Sequence, residues 1–233
     1  MRYYLLRTIV TIVVSFLVTM INFMLKIVFR NLAKFERYKS LTHETNSIFK
    51  KLFIAVFINM AILLLLINAN FQEFEIVKNI SNWLPIGGDL FFNGKYNDLK
   101  RAWYPRVGLA FLVLVISTVF SNMFSSAQWE LIRMYKRNIV AKKQLLQCDM
   151  NLQMNGGFFE IDAKYSISLA VIFMCHLYFG ALPLLCPLIA VFFFVQFWLD
   201  KLYITKFAKK PPHYHADMHK TMIQILPLCT ILH

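Results

Sequence analysis

Glycine and proline are scarce in this chain, with seven of each in 233 residues. That shortage leaves little turn chemistry for a many-stranded barrel and suits long helices. Acidic residues are also few: 12 Asp and Glu stand against 25 Lys and Arg, for a net charge of +13. Paired cysteines are missing. Cys148, Cys175, Cys186 and Cys229 form no C-x-x-C spacing, and their placement shows no disulfide framework and no zinc site of the usual kind. Cys175 and Cys186 fall inside apolar stretches and read as small hydrophobes. There is no P-loop, no dinucleotide fingerprint and no nucleophile–base pair. Transport of ions or lipid therefore ranks above enzymatic turnover, and the chain reads as a non-enzyme.

What is abundant is apolar. Hydrophobic residues make up 58% of the chain and Phe alone accounts for 23 positions, where soluble domains run nearer 45–50% apolar. The excess falls in blocks of roughly 18–22 residues, the length that crosses a hydrocarbon core as a helix. The expected fold is an all-α, polytopic transmembrane helical bundle forming a single domain. It has about five spans (5–29, 52–71, 107–126, 165–181 and 182–203). Gly180-Ala-Leu-Pro183 makes a tight joint between the last two, and Pro187 adds a second break. The stretch from Met222 to His233 turns apolar again and reads as the first turns of a truncated sixth helix.

The basic residues lie between the apolar blocks. Two basic loops, 30–51 and 127–164, and a tail, 204–233, carry most of the Lys and Arg. An odd number of spans puts all three on one side, which the positive-inside rule makes cytoplasmic. The positive charge is thus read as facing anionic headgroups, with membrane lipids as partners and no nucleic acid. Part of loop 127–164 alternates basic and apolar residues in a helical pattern suited to lying along headgroups. The loop 72–106 would face outward. It holds Asn79-Ile-Ser81, a glycosylation sequon that makes Asn79 a candidate acceptor.

Polar side chains inside a membrane are costly and normally face the bundle interior or water. Candidates for lining a pore are Asn59, Asn68, Asn122, Gln128, Glu130, Gln196 and Asp200, with Asn22, Lys26 and Asn70 also polar within or beside the blocks. Asn59 has two readings, an interhelical hydrogen bond or a place on a conduction path. Lys26 is expected to extend to the cytoplasmic headgroups. Gln196 and Asp200 are spaced i, i+4 and share a helix face, with Lys201 adjacent as a neutralising cation. His213, His215 and His219 have a spacing that could hold a metal, in a polar segment after Pro211-Pro212.

The order of motifs resembles the anoctamins. Leu32-Ala-Lys-Phe-Glu-Arg-Tyr-Lys-Ser-Leu-Thr42 followed by Ser47-Ile-Phe-Lys-Lys-Leu-Phe-Ile-Ala-Val-Phe-Ile-Asn59 is similar to their acidic-basic-Thr linker and Lys-x-Phe…Phe-x-Asn helix. Leu182-Pro-Leu-Leu-Cys-Pro187, with Phe197-Trp-Leu-Asp-Lys201 beyond it, is similar to their Pro-x-x-Pro helix and also to that of the OSCA-type stress-gated cation channels. The resemblance implies a partial chain covering the central, pore-forming helices. The early helices and the final ones, the latter carrying the homodimer contact in anoctamins, would be missing. It also implies a calcium site, to which Glu130 and Asp200 are the matching positions. Gln196 stands where the family has a further acid, and Glu160 and Asp162 precede a span rather than lie within it. Two carboxylates are a poor set for a cation that takes six to eight oxygens, which favours the OSCA-type branch or a member without calcium gating.

The resulting expectation is passive conduction of cations or anions by a channel subunit or fragment, with the permeating ions as partners. Rival readings are a phospholipid scramblase of the same superfamily, a non-conducting multi-pass scaffold, and a lipid-acting membrane enzyme. The last would need His and carboxylates gathered at the interface, which His176 alone does not supply.

Overall fold

A computed structural model describes residues 2–68, 70, 96, 100–118, 132, 134–154, 159–206, 208–209 and 217–231. Among these residues every regular element is helical, apart from one bridge in which the Asn70 N–H donates to the Tyr96 carbonyl at 2.9 Å. Helix α1 runs from Arg2 to Glu36. Helix α2 spans Leu41–Asn68 and widens into a π-helical turn at Ile58–Ile62. Helix α3, Leu109–Thr118, continues from a second wide turn, Tyr104–Gly108. A third wide turn, Lys136–Val140, and a 3-10 turn, Ala141–Lys143, precede α4, Gln147–Met154. The long α5, Ile161–Tyr178, and α6, Leu185–Lys206, are joined by a tight corner. Two short helices follow, α7 (Asp217–Ile225) and α8 (Leu228–Ile231).

Several boundaries differ from those the hydropathy pattern gives. The basic segment 30–51 is mostly helix. Arg30 and Lys34 continue α1, because long unbranched side chains keep a helix at little cost. The chain reverses within 37–40, where Arg37 adopts a left-handed φ of 49°. Ser40 then caps α2, its hydroxyl accepting from the His43 N–H at 3.3 Å. At the other end, α6 continues through Lys206 into the expected tail. The closing apolar stretch is not one helix. It breaks at Leu226-Pro227, since proline has no N–H to donate and crowds the preceding turn.

The core lies where α2, α3, α5 and α6 meet. Phe49, Leu52, Val56 and Met60 of α2 pack on Leu169, Phe173 and Met174 of α5, with Phe111 of α3 and Leu185 of α6 closing the cluster. Ser166 and Ala170 are one turn apart on the buried side of α5, and small residues at that spacing let backbones approach closely. The Ser166 hydroxyl reaches the Phe49 carbonyl of α2 at 3.1 Å. Phe173 meets Phe53 edge-on at 5.1 Å between centroids. Beside α2 and α5, Met218 and Thr221 of α7 and Cys229 of α8 are also buried.

The outside is apolar too. Phe16, Phe23 and Met24 of α1 and Val191, Phe194 and Phe197 of α6 are each more than half exposed. Among the described residues two helices, α2 with 28 residues and α6 with 22, are long and apolar enough to cross a membrane. Only 29% and 22% of their most apolar stretches are buried, whereas the core helix of a soluble protein is buried over most of its length.

Candidate functional site

The polar groups of the bundle fall into a line that begins on α1. Asn22, Lys26 and Arg30 are spaced i, i+4, i+8, so they share one helix face. Leu25, Phe29 and Ala33 fill the same face and pack inward, while most neighbouring positions are exposed. The stripe covers about 12 Å of helix.

Each member of the stripe has a partner on another helix. The Asn59 side-chain amide, inside the wide turn of α2, donates to the Asn22 side-chain carbonyl at 2.7 Å. Lys26 and Arg30 both pair with Glu160, which precedes the first turn of α5. Arg30 also donates to both oxygens of Asp162, at 3.1 and 3.2 Å. Asp162 is 5% exposed, so that pair is closed to water on the carboxylate side. Burial pushes the Glu160 carboxyl up, but Lys26 and Arg30 outweigh it and hold the group below its ordinary range. Acids at a helix start are further favoured by the free N–H groups there.

A second polar cluster joins α5 to α6. Leu185, Ile189, Phe192 and Gln196 form the buried face of α6, so Gln196 is the polar member of an otherwise apolar stripe. Its amide donates to Asp200 at 2.6 Å. The other Asp200 oxygen lies 3.0 Å from Lys164 of α5. That contact is one of charge rather than aligned hydrogen bonding, and the ammonium is sealed from solvent. Lys201 does not take the role its adjacency gives it in sequence. Consecutive helix positions point about 100° apart, and Lys201 lies over the rings of Trp198 and Phe197, at 5.2 and 5.9 Å.

Asn59 makes an interhelical hydrogen bond, to Asn22. Asn68 sits half-buried at the end of α2. Gln196 and Asp200 come together as their spacing implies. Lys26 turns inward to Glu160 rather than out to headgroups, because a carboxylate lies within its reach. Asn122, Gln128, Glu130 and Asn79 lie outside the described residues, as do His213 and His215. His219 is bonded to the Tyr165 hydroxyl at 3.0 Å. The α1 stripe was accessible from spacing alone: three polar residues four apart in an apolar helix must share a face.

Asp200 is the described member of the pair that the resemblance assigns to calcium. One of its oxygens faces an ammonium and the other accepts from an amide. That donor set fits an internal ion pair and does not fit a divalent cation. Among the described residues no three His, Cys, Asp or Glu gather as metal ligands.

The opposite end of α5 has no Asp, Glu, Lys or Arg in its last turn, where His176 is the one basic residue. The Tyr178 hydroxyl donates to the Ala61 carbonyl, within the wide turn of α2, at 2.9 Å. Its ring lies 4.0 Å from that of Phe111. Gly108 fits beneath Leu182 of the corner, where an added Cβ would meet the Leu182 side chain at 3.2 Å. Compared with known proteins, the sequence matches no family model and no curated protein.

Proposed function

We propose that this chain is a multi-pass membrane protein of the anoctamin and OSCA-type kind, crossing the bilayer about five times and conducting ions passively. The observation that carries the reading is the inward stripe Asn22, Lys26 and Arg30, with Asn59, Glu160 and Asp162 opposite it. Polar groups kept inside an apolar bundle often mark ion or substrate pathways. The stripe starts at a wide helical turn, a feature that recurs at functional sites. The apolar outer surfaces of α1 and α6 support the membrane setting.

Conduction would require the side-chain pairs to exchange partners with a passing ion. Asn22 and Asn59 would replace part of its hydration, while Lys26, Arg30, Glu160 and Asp162 would set the field at one mouth. One observation favours a different reading. Asn22, Lys26 and Arg30 are in direct contact with other side chains of the protein, as in a closed, non-conducting scaffold.

Ion flux and lipid scrambling in liposomes of the purified protein separate the two. The expected result is flux above protein-free liposomes that falls at least tenfold in Asn59→Leu. Absence of both flux and scrambling would establish the scaffold reading. Scrambling without selective flux would make the stripe a headgroup track.

A further inference from the structure

The corner between α5 and α6 brings two thiols together. Cys175, near the end of α5, and Cys186, in the first turn of α6, have their sulfurs 3.4 Å apart, although 11 positions separate them in sequence. Sequence spacing gives no sign of this, since the pair comes from two helices folded back on one another. The corner itself is ordered by backbone bonds. The Ala181 and Leu182 N–H groups donate to Tyr178 at 3.1 and 2.8 Å, and the Cys186 N–H donates to Pro183 at 3.2 Å.

We propose that Cys175 and Cys186 form a redox-active pair, oxidised to an intramolecular disulfide by a small disulfide such as oxidised glutathione. The sulfurs stand about 1.4 Å beyond bonding distance, the gap that bond formation has to close. Access differs between them. Cys175 is buried, whereas Cys186 is only half-buried beside the exposed Gly180, Pro183 and Leu184. Cys186 is therefore the entry point.

The chemistry runs in two exchanges. The Cys186 thiolate attacks one sulfur of glutathione disulfide, and that S–S bond breaks to release one glutathione thiolate, which takes up a proton. The Cys175 sulfur then attacks Cys186 and expels the second glutathione as a thiolate, which takes up the proton that the Cys175 thiol gives up. Two protein thiols are oxidised by two electrons, and one glutathione disulfide is reduced to two thiols. The bond would clamp the last turn of α5 to the first turn of α6, next to Tyr178.

In the five-span topology this corner faces outward, the side on which disulfides persist. The pairing itself does not depend on that topology. The state of the pair on isolation from cells reports the compartment, and its response to added oxidant reports the pairing.

The test uses the full chain in lipid nanodiscs, incubated with oxidised glutathione, denatured, alkylated with a maleimide and mapped by mass spectrometry. Reactive thiols should fall from four to two, with Cys175 and Cys186 recovered as one cross-linked peptide. In Cys186→Ser, Cys175 should stay fully alkylated. Recovery of both cysteines as free thiols overturns the proposal. So does a stalled mixed disulfide at Cys186, or a bridge to Cys148 or to a second chain. The wild-type map decides the matter even if the variant fails to fold.

Discussion

At the first turn of α5, Glu160 and Asp162 meet two cations of α1, and Lys164 meets Asp200 of α6. At its last turn, about 24 Å away, Tyr178 is fixed by one hydrogen bond to Ala61 and by ring packing on Phe111. The same helix is thus anchored by charge at one end and by shape at the other. Charge pairs hold a register because each group left without its partner is costly. Packing holds it less selectively, since apolar contacts tolerate small slips. The charged end therefore fixes which helix meets which, and the neutral end fixes how tightly they close.

The sharpest way to break this contrast is Asp162→Ala. It strips a buried carboxylate from Arg30 and leaves a half-buried guanidinium with Glu160 alone. Breaking a pair of this kind from one side costs about 3 kcal/mol. The midpoint of denaturant unfolding in micelles should fall accordingly. The double variant Arg30→Met with Asp162→Leu should recover most of the loss, because both charges are then removed. No recovery would mean that Asp162 acts through the helix start rather than through Arg30.

Tyr178→Phe probes the other end. It removes one hydroxyl and leaves the ring packing on Phe111 in place. The Ala61 carbonyl then loses a donor in a buried setting, a cost of about 1–2 kcal/mol. The same unfolding measurement checks it. A loss as large as that of Asp162→Ala would erase the distinction between the two ends.

Much of this arrangement is visible in the residues themselves. The apolar blocks and the scarcity of Gly and Pro give helices, and the described elements are helical. Two of the five expected spans correspond to helices long and apolar enough to cross a membrane by themselves. Gln196 with Asp200 is legible because four residues make one helix turn. The charge pairs are not legible in the same way. Arg30 and Asp162 are 132 positions apart, and hydropathy places each beside a separate apolar block. Only the packing of α1 and α5 against α2 brings the two loop-edge groups together. The same reason hides the Cys175–Cys186 contact. Helices run past the apolar blocks into the basic segments, because Arg and Lys are good helix formers.

Arg37→Gly tests how much strain the charged end absorbs. Arg37 occupies the left-handed region at φ 49°, where glycine carries no Cβ penalty. The substitution should raise stability by about 0.5–1 kcal/mol, the left-handed penalty of roughly 1–2 kcal/mol less the entropy that glycine adds to the unfolded chain. The sign is opposite to that of the two variants above. Loss of stability would show that the Arg37 side chain, not its backbone, matters to the α1–α2 turn.

The smallest effect expected is a difference in acid response between the two ends. Glu160 titrates below its ordinary value of 4.5 in the folded chain, because Lys26 and Arg30 outweigh the cost of its burial. A carboxyl depressed by folding stabilises the fold at pH values above 4.5, and that contribution is lost as pH falls through the depressed value. The neutral end at Tyr178 and Ala61 has no carboxylate in its bond. Amide hydrogen exchange, corrected for intrinsic rates, should therefore show protection falling first at the start of α5 as pH drops below 4.5, with the end of α5 following later. Glu160→Gln should shrink the gap between the two ends, since a neutral amide keeps the shape but not the charge. If both ends lost protection together in the wild-type chain, α5 would open as one unit, and the division between charge and shape would hold for its contacts but not for its stability.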